Sequence, residues 1–216
     1  MRIFHYDELK KESSIRLSFD LFPNESLQIQ LLTNVSDPYS MSNDMTSFPP
    51  SNFALLNAER IVSVGHIAAA ANHALLRHQS FMIKNSAAKN ENKDTNVRGL
   101  AIETIICAGG SSHVGNVLRD FAFLEKYNNE GMESKSFTVI VLAWNCSEEK
   151  MTEYVNSIIS RGNGSLAPLS YLSRERNEDE LKDIIKNFKL TKEDIYTESS
   201  SLDLAIITRI ATKFNI

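Results

Sequence analysis

The residues of this chain best suited to chemistry are few, and they sit in three places. Gly109-Gly110-Ser111-Ser112 closes an apolar run and precedes a helix-like stretch. Such a turn can cradle a phosphate, because free N–H groups and the helix dipole both favour an anion. It lacks the Gly-Lys-Ser/Thr of a P-loop and the Gly-x-Gly-x-x-Gly of a dinucleotide fold, so the plainer reading is a tight turn plus a helix cap from Ser111 or Ser112. The second place is a helix face carrying His66, His73 and Arg77, to which Arg98 and the lysines of a nearby polar segment add positive charge. It is the best candidate surface for nucleic acid; the alternative is a solvated helix face. The third is the C-terminal helix discussed below. Of the five histidines, His66 and His73 lie two helical turns apart, too far to chelate one ion alone. Neither cysteine, Cys107 or Cys146, has a metal-spaced partner, and both read as buried thiols of a reducing compartment. No metal, cofactor or catalytic residue is expected. Ser111, Ser112 and His113 are neighbours in sequence, but the members of a triad meet in space, so their adjacency implies nothing.

The elements that position these residues follow from periodicity. Leu100 to Ala108 is almost continuously apolar and reads as a strand buried on both faces, although so short a run can also be a buried helix. Val114, Val117, Leu118 and Phe121 then form one stripe of a short helix. Upstream, the alternation of Ile15, Leu17, Phe19 and Leu21, and of Leu27, Ile29 and Leu31, predicts two half-buried strands joined by a turn at Pro23 to Ser26. The segment 36–52 is rich in Ser, Pro and Asn and leaves room only for a short helix between Tyr39 and Thr46. Phe53 to Val64 is extended in character, broken at Asn57-Ala58. Ile67, Ala70, Ala71, Ala74 and Leu75 mark a long helix with a narrow stripe of small residues. Gln79 to Val97 has the composition of a disordered polar insertion. Phe137 to Trp144 is a second buried strand, and Met151, Tyr154, Val155, Ile158 and Ile159 stripe the helix after it, which Arg161-Gly162 ends. Asn177-x-x-Glu180 has the form of a capping box. These elements predict a single α/β domain over residues 1–216, with a mixed β-sheet and amphipathic helices packed on it.

The bulk composition narrows the function. The chain has 216 residues, 42% of them hydrophobic, and a formal net charge of −4, so no whole-molecule field draws in nucleic acid and any RNA contact needs a local basic patch. No run approaches the roughly 20 apolar residues of a membrane helix. The polar N-terminus has no signal-peptide core, and the expected location is cytoplasmic and nuclear.

The final helix, from about Ser201 to Lys213, has two apolar stripes: Leu202, Ile206 and Ile210, and Leu204, Ile207 and Ala211. A surface helix needs one. Either the helix is a core element or one stripe faces a partner. The sequence reading places the partner on Leu202, Ile206, Arg209, Ile210 and Phe214, with Arg209 as an arginine anchor.

Three stretches carry a family resemblance. Arg98-x-Leu100-x-x-Glu103, followed by Ile105-Ile106, the small polar turn, Val114, Leu118 and Phe121, resembles the small non-catalytic subunit of the KEOPS/EKC complex, the PRPK-binding protein (TPRKB) family. Leu56-Asn57 through Ile61-Val62 to Ala70-Ala71-Asn72-x-Ala74 resembles its first long helix and lead-in. Leu202-Asp203-x-Ala205-Ile206-Ile207-x-Arg209-Ile210-x-Thr212-Lys213 resembles its C-terminal segment. The resemblance is weak before residue 53, and the 79–97 segment is longer than the family's connection. It implies a non-enzymatic adaptor that binds the small kinase-like ATPase of that complex, touches its other subunits indirectly, and helps recruit tRNA, in archaeal members by the 3′ CCA end, for threonylcarbamoyladenosine (t6A) modification. On that reading His66, His73, Arg77 and Arg98 would be the RNA face. The rival readings are a phosphate-ligand enzyme built on Gly109 to Ser112 and a structural subunit without RNA contact.

Overall fold

The computed structural model describes residues 12–41, 52–87, 98–124, 135–196 and 201–213. Its centre is a five-stranded sheet: β1 (Ser14–Phe19), β2 (Phe22–Ser36), β3 (Phe53–Asn57), β4 (Ser136–Trp144) and the two-residue β5 (Ser165–Leu166). The order is β1-β2-β4-β3, with β5 pairing β2 beyond the end of β1. Every pairing of these strands is antiparallel, so the expected mixed sheet is corrected. Alternation sends β2, β3 and β4 side chains to both faces, and both faces are covered. On one, Ile29, Leu56 and Trp144 meet a large helical layer; on the other, Leu55, Val139 and Val141 meet one long helix together with Tyr39, Met41 and Phe123.

The helices are α1 (Pro38–Met41), α2 (Val64–Ala87), α3 (Leu100–Ala108), α4 (Val114–Phe121), α5 (Glu148–Gly162), α6 (Glu178–Phe188), α7 (Lys192–Tyr196) and α8 (Leu202–Lys213). Short 3-10 turns occupy Ala58–Arg60 and Leu169–Ser173. Helix α5 covers one face through Met151, Tyr154, Val155 and Ile158, the stripe its spacing predicts. Helices α2, α3, α4, α6 and α8 build the other. The only tryptophan, Trp144, is fully buried there; it stacks on Phe19 at 5.4 Å and donates its indole N–H to Thr104 Oγ1 at 3.1 Å.

The main correction is α3. Leu100 to Ala108 is a helix, not a strand, and all of its residues except Ile102 are buried. A helix closed in on nearly all sides has no polar stripe, so its sequence is indistinguishable from a central strand by periodicity. Packing against α2 is what the small stripe of Ala70, Ala71 and Ala74 permits. The first hairpin also differs. It turns at Asp20-Leu21, and Pro23 to Glu25 form an irregularity inside β2, between the Phe19–Phe22 and Ser18–Ser26 pairs.

Helix α2 continues to Ala87, so the first nine residues of the expected 79–97 insertion are helical; 88–97 lie outside the described residues. The short helix expected between Tyr39 and Thr46 starts at Pro38, a favoured first-turn residue, and is described to Met41. The C-cap of α5 is Asn163, at φ 53°, one residue after the expected glycine. Gly162 lies close to β2: a Cβ there would sit 3.1 Å from the Ser36 carbonyl oxygen and would displace the end of the Met41 side chain. The capping box at Asn177 and Glu180 is present, with Asn177 Oδ1 accepting from Glu180 N at 2.9 Å and Glu180 Oε2 accepting from Asn177 N at 3.1 Å.

Candidate partner interface

Helix α8 lies across the N-terminal end of α2. Ile206 and Ile210 are 0% and 1% exposed and belong to the main core. The approach is close: a Cβ on Gly65 would meet Ile207 Cδ1 at 3.2 Å. A polar clasp fixes the crossing. Ser63 Oγ accepts from the His66 backbone N–H at 3.0 Å and donates to Asp203 Oδ1, so a carboxylate of α8 sits at the positive end of α2.

The placement corrects the sequence reading of the partner surface. Of the five residues assigned to it, Ile206 and Ile210 point into the protein, because the helical layer supplies their apolar neighbours. Leu202 is half-buried and packs on the same core. Arg209 is tied locally, donating to the Lys189 carbonyl at 2.9 Å and lying 3.7 Å from Asp194. Phe214 lies outside the described residues. The second stripe is split: Ile207 packs on Gly65 of α2, while Leu204, 49% exposed, faces outward with Thr208, Ala211 and Thr212.

This face borders a groove of about 310 Å³ between α7 and α8, lined by Glu193, Asp194, Leu204, Ala205, Thr208, Arg209 and Thr212. The α7 side is set by reciprocal capping. Thr191 N donates to Asp194 Oδ2 at 2.7 Å, and Asp194 N donates to Thr191 Oγ1 at 3.3 Å. Hydrogen bonds from Thr191, then the nearby Arg209, hold the Asp194 carboxyl below its ordinary range. Its own backbone N–H and the Thr191 hydroxyl do the same for Glu193. Glu193 and Asp194 were missed by sequence reasoning. They read as ordinary first-turn acids of a short helix, and only the packing of α7 beside α8 makes them a rim.

The expected basic face is not assembled. His66 is fully buried. Its Nδ1 accepts from Val62 N at 3.4 Å and its Nε2 lies 2.9 Å from the Ala108 carbonyl, which requires the neutral ring with its proton on Nε2. Burial lowers its pKa to about 4; the Ala108 bond opposes that shift and Arg176 adds to it. It is a core histidine joining the start of α2 to the end of α3, and the RNA role assigned to it is corrected. His73 is partly buried, and Arg77 pairs at 3.0 Å with Glu103, which is itself buried. Arg98 alone of the four is exposed.

The glycine turn is packed on one side. A Cβ on Gly110 would lie 2.2 Å from the Asn187 carbonyl oxygen, so the end of α6 packs directly on the turn and brings a carbonyl oxygen, which repels an anion, against it. The N-cap of α4 is His113 rather than a serine, and Ser111 Oγ instead accepts from His113 N at 3.1 Å. Among the described residues there is no group of three or more side chains that could hold a metal ion, and Cys107 and Cys146 are buried free thiols.

No curated protein matches the chain. The family model of the kinase binding protein CGI-121, the family that TPRKB represents, matches residues 32–214. The match takes in β3, the long α2, the buried α3 and the C-terminal α8 with its outward leucine. The chain therefore belongs to the CGI-121 family of kinase-binding proteins.

Proposed function

We propose that this protein is a non-catalytic adaptor that docks the small kinase-like ATPase of a KEOPS/EKC complex, and that it does so with the outer face of α8. The observation that carries the location is the division of labour on that helix. Ile206 and Ile210 anchor it in the core, while Leu204 remains half exposed at the rim of a groove. A single exposed leucine is ordinary on a protein surface; what singles Leu204 out is its place beside a groove, on a core-anchored helix inside the family match. The kinase as partner is supported by the family, and the complex by the resemblance at 56–75, 98–123 and 202–213.

Service to tRNA threonylcarbamoyladenosine modification, in the cytoplasm and nucleus, follows from membership of that complex rather than from a basic surface of this chain. Arg98 is the residue of the original set still available for a phosphate. A phosphate-ligand enzyme at Gly109 to Ser112 is disfavoured by the packing of Gly110 on α6.

The test is calorimetric titration of the cognate kinase into the full chain, with circular-dichroism melting of each variant. Leu204→Glu is expected to keep its fold and to weaken kinase binding by roughly tenfold or more, since it sets a charge in an apolar contact. Ile206→Glu is expected to lower the melting temperature sharply, because the charge is forced into the core. A folded Leu204→Glu variant that binds like the wild type overturns the assignment. Binding of tRNA with and without its 3′ CCA end, alone and with the kinase bound, tests the RNA part.

A further inference from the structure

The groove beside Leu204 has a chemistry that selects its occupant. Leu204 and Ala205 give its α8 side apolar surface beside Thr208, Arg209 and Thr212, and its α7 side is acidic. The two acids are not equivalent. Asp194 is engaged by the Thr191 N–H and by Arg209. Glu193 is exposed and is held by its own backbone N–H and the Thr191 hydroxyl, but it has no cationic partner among the described residues. An apolar side chain entering the groove would cover the Glu193 charge without neutralising it, and an anion would be repelled by that charge. A long cationic side chain fits both halves, because its methylene stem can lie on Leu204 and Ala205 while its head reaches the carboxylate at the rim.

We propose that the α7–α8 groove receives a lysine or arginine side chain of the docked kinase, stem against Leu204 and Ala205 and cation at Glu193. This rests on α8 being the docking face. It gives Glu193 the role of selecting the partner and steering its approach, and it leaves Arg209 as the residue that neutralises Asp194 and shapes the wall.

The experiment titrates the cognate kinase into the full chain at several salt concentrations, with wild type, Glu193→Gln and Leu204→Glu compared and the melt of each recorded. Glu193→Gln keeps the shape and removes the charge. It is expected to fold normally, to bind roughly threefold to tenfold more weakly at low salt, and to show a flatter salt dependence than the wild type. Glu193→Lys is expected to weaken binding further at low salt and to recover as salt is raised. If Glu193→Gln has wild-type affinity and salt slope while Leu204→Glu abolishes binding, the groove inference is overturned and the docking face stands. If a folded Leu204→Glu variant binds fully, the docking face falls and the inference falls with it.

Discussion

His66 shows how one residue can change roles when the fold closes. On a helical wheel it joins His73 and Arg77, but its ring fills the junction of α2 and α3, and both nitrogens are used by backbone groups. The consequence is a pH dependence of stability. The folded pKa, about 4, lies below the ordinary value of 6.5, so between these values the unfolded chain binds a proton that the folded one does not. The contribution is therefore fully present above pH 6.5 and is lost as pH falls through that window, levelling off below about 4. A displacement of this size corresponds to about 3 kcal/mol at most. Urea unfolding at pH 7 and pH 5 measures it. His66→Gln, which keeps a donor and an acceptor without a titrating ring, is expected to be less stable at pH 7 and to show a smaller loss at pH 5. An equal loss in both proteins would assign the acid sensitivity to other groups.

At the scale of elements, the turn between α3 and α4 is a packing joint. Gly109 lies under Val117 and Gly110 lies against the last turn of α6, where a Cβ would approach the Asn187 carbonyl oxygen to 2.2 Å. Backbone cannot yield as a flexible side chain can, so Gly110→Ala must push α6 away from the turn. The expected cost is about 2 to 3 kcal/mol, read as a drop in melting temperature. Were the turn an open ligand cradle, the same substitution would leave stability unchanged. The neighbouring α3 explains why the joint must be tight: with its backbone bonds closed within itself, it can sink against the sheet without needing strand partners.

At the scale of the whole molecule, the two edges of the sheet are treated differently. The β3 edge is covered by the segment after α4, through Phe123 N to Leu55 O at 3.2 Å and a bridge between Leu56 and Ala122. Among the described residues no strand pairs with the outer edge of β1. Leu31 N bonds Ser13 O, which makes Ile15 and Leu17 the hydrogen-bonded partners of β2 and turns the backbone groups of Ser14, Arg16 and Ser18 outward. In the registers that pair β1 most fully with a second β1, Arg16 opposite Ser14, Arg16 or Ser18, the two Arg16 side chains lie opposite or diagonal to each other, and like charges there oppose pairing. Arg16→Val is therefore expected to increase self-association, measured by sedimentation or light scattering at rising concentration. Amide exchange should be fast at Ser14, Arg16 and Ser18 and slow at Ile15 and Leu17; uniform protection along β1 would show that the edge is covered.

By itself, the sequence determined whatever depends on local chemistry and on one-sided burial. The capping box at Asn177, the β4 strand, the α5 stripe and the three stretches that mark the family were legible, because each is set by neighbours a few residues away. Tertiary structure decided the rest. Leu100 to Ala108 carries no polar face, and burial on every side erases the difference between the helical and the extended period. The stripes of α8 are equally apolar, so only the position of α2 selects Ile206 and Ile210 for the core and leaves Leu204 outside. Glu193 and Asp194 become a rim only where α7 and α8 lie side by side, a contact that no local spacing encodes.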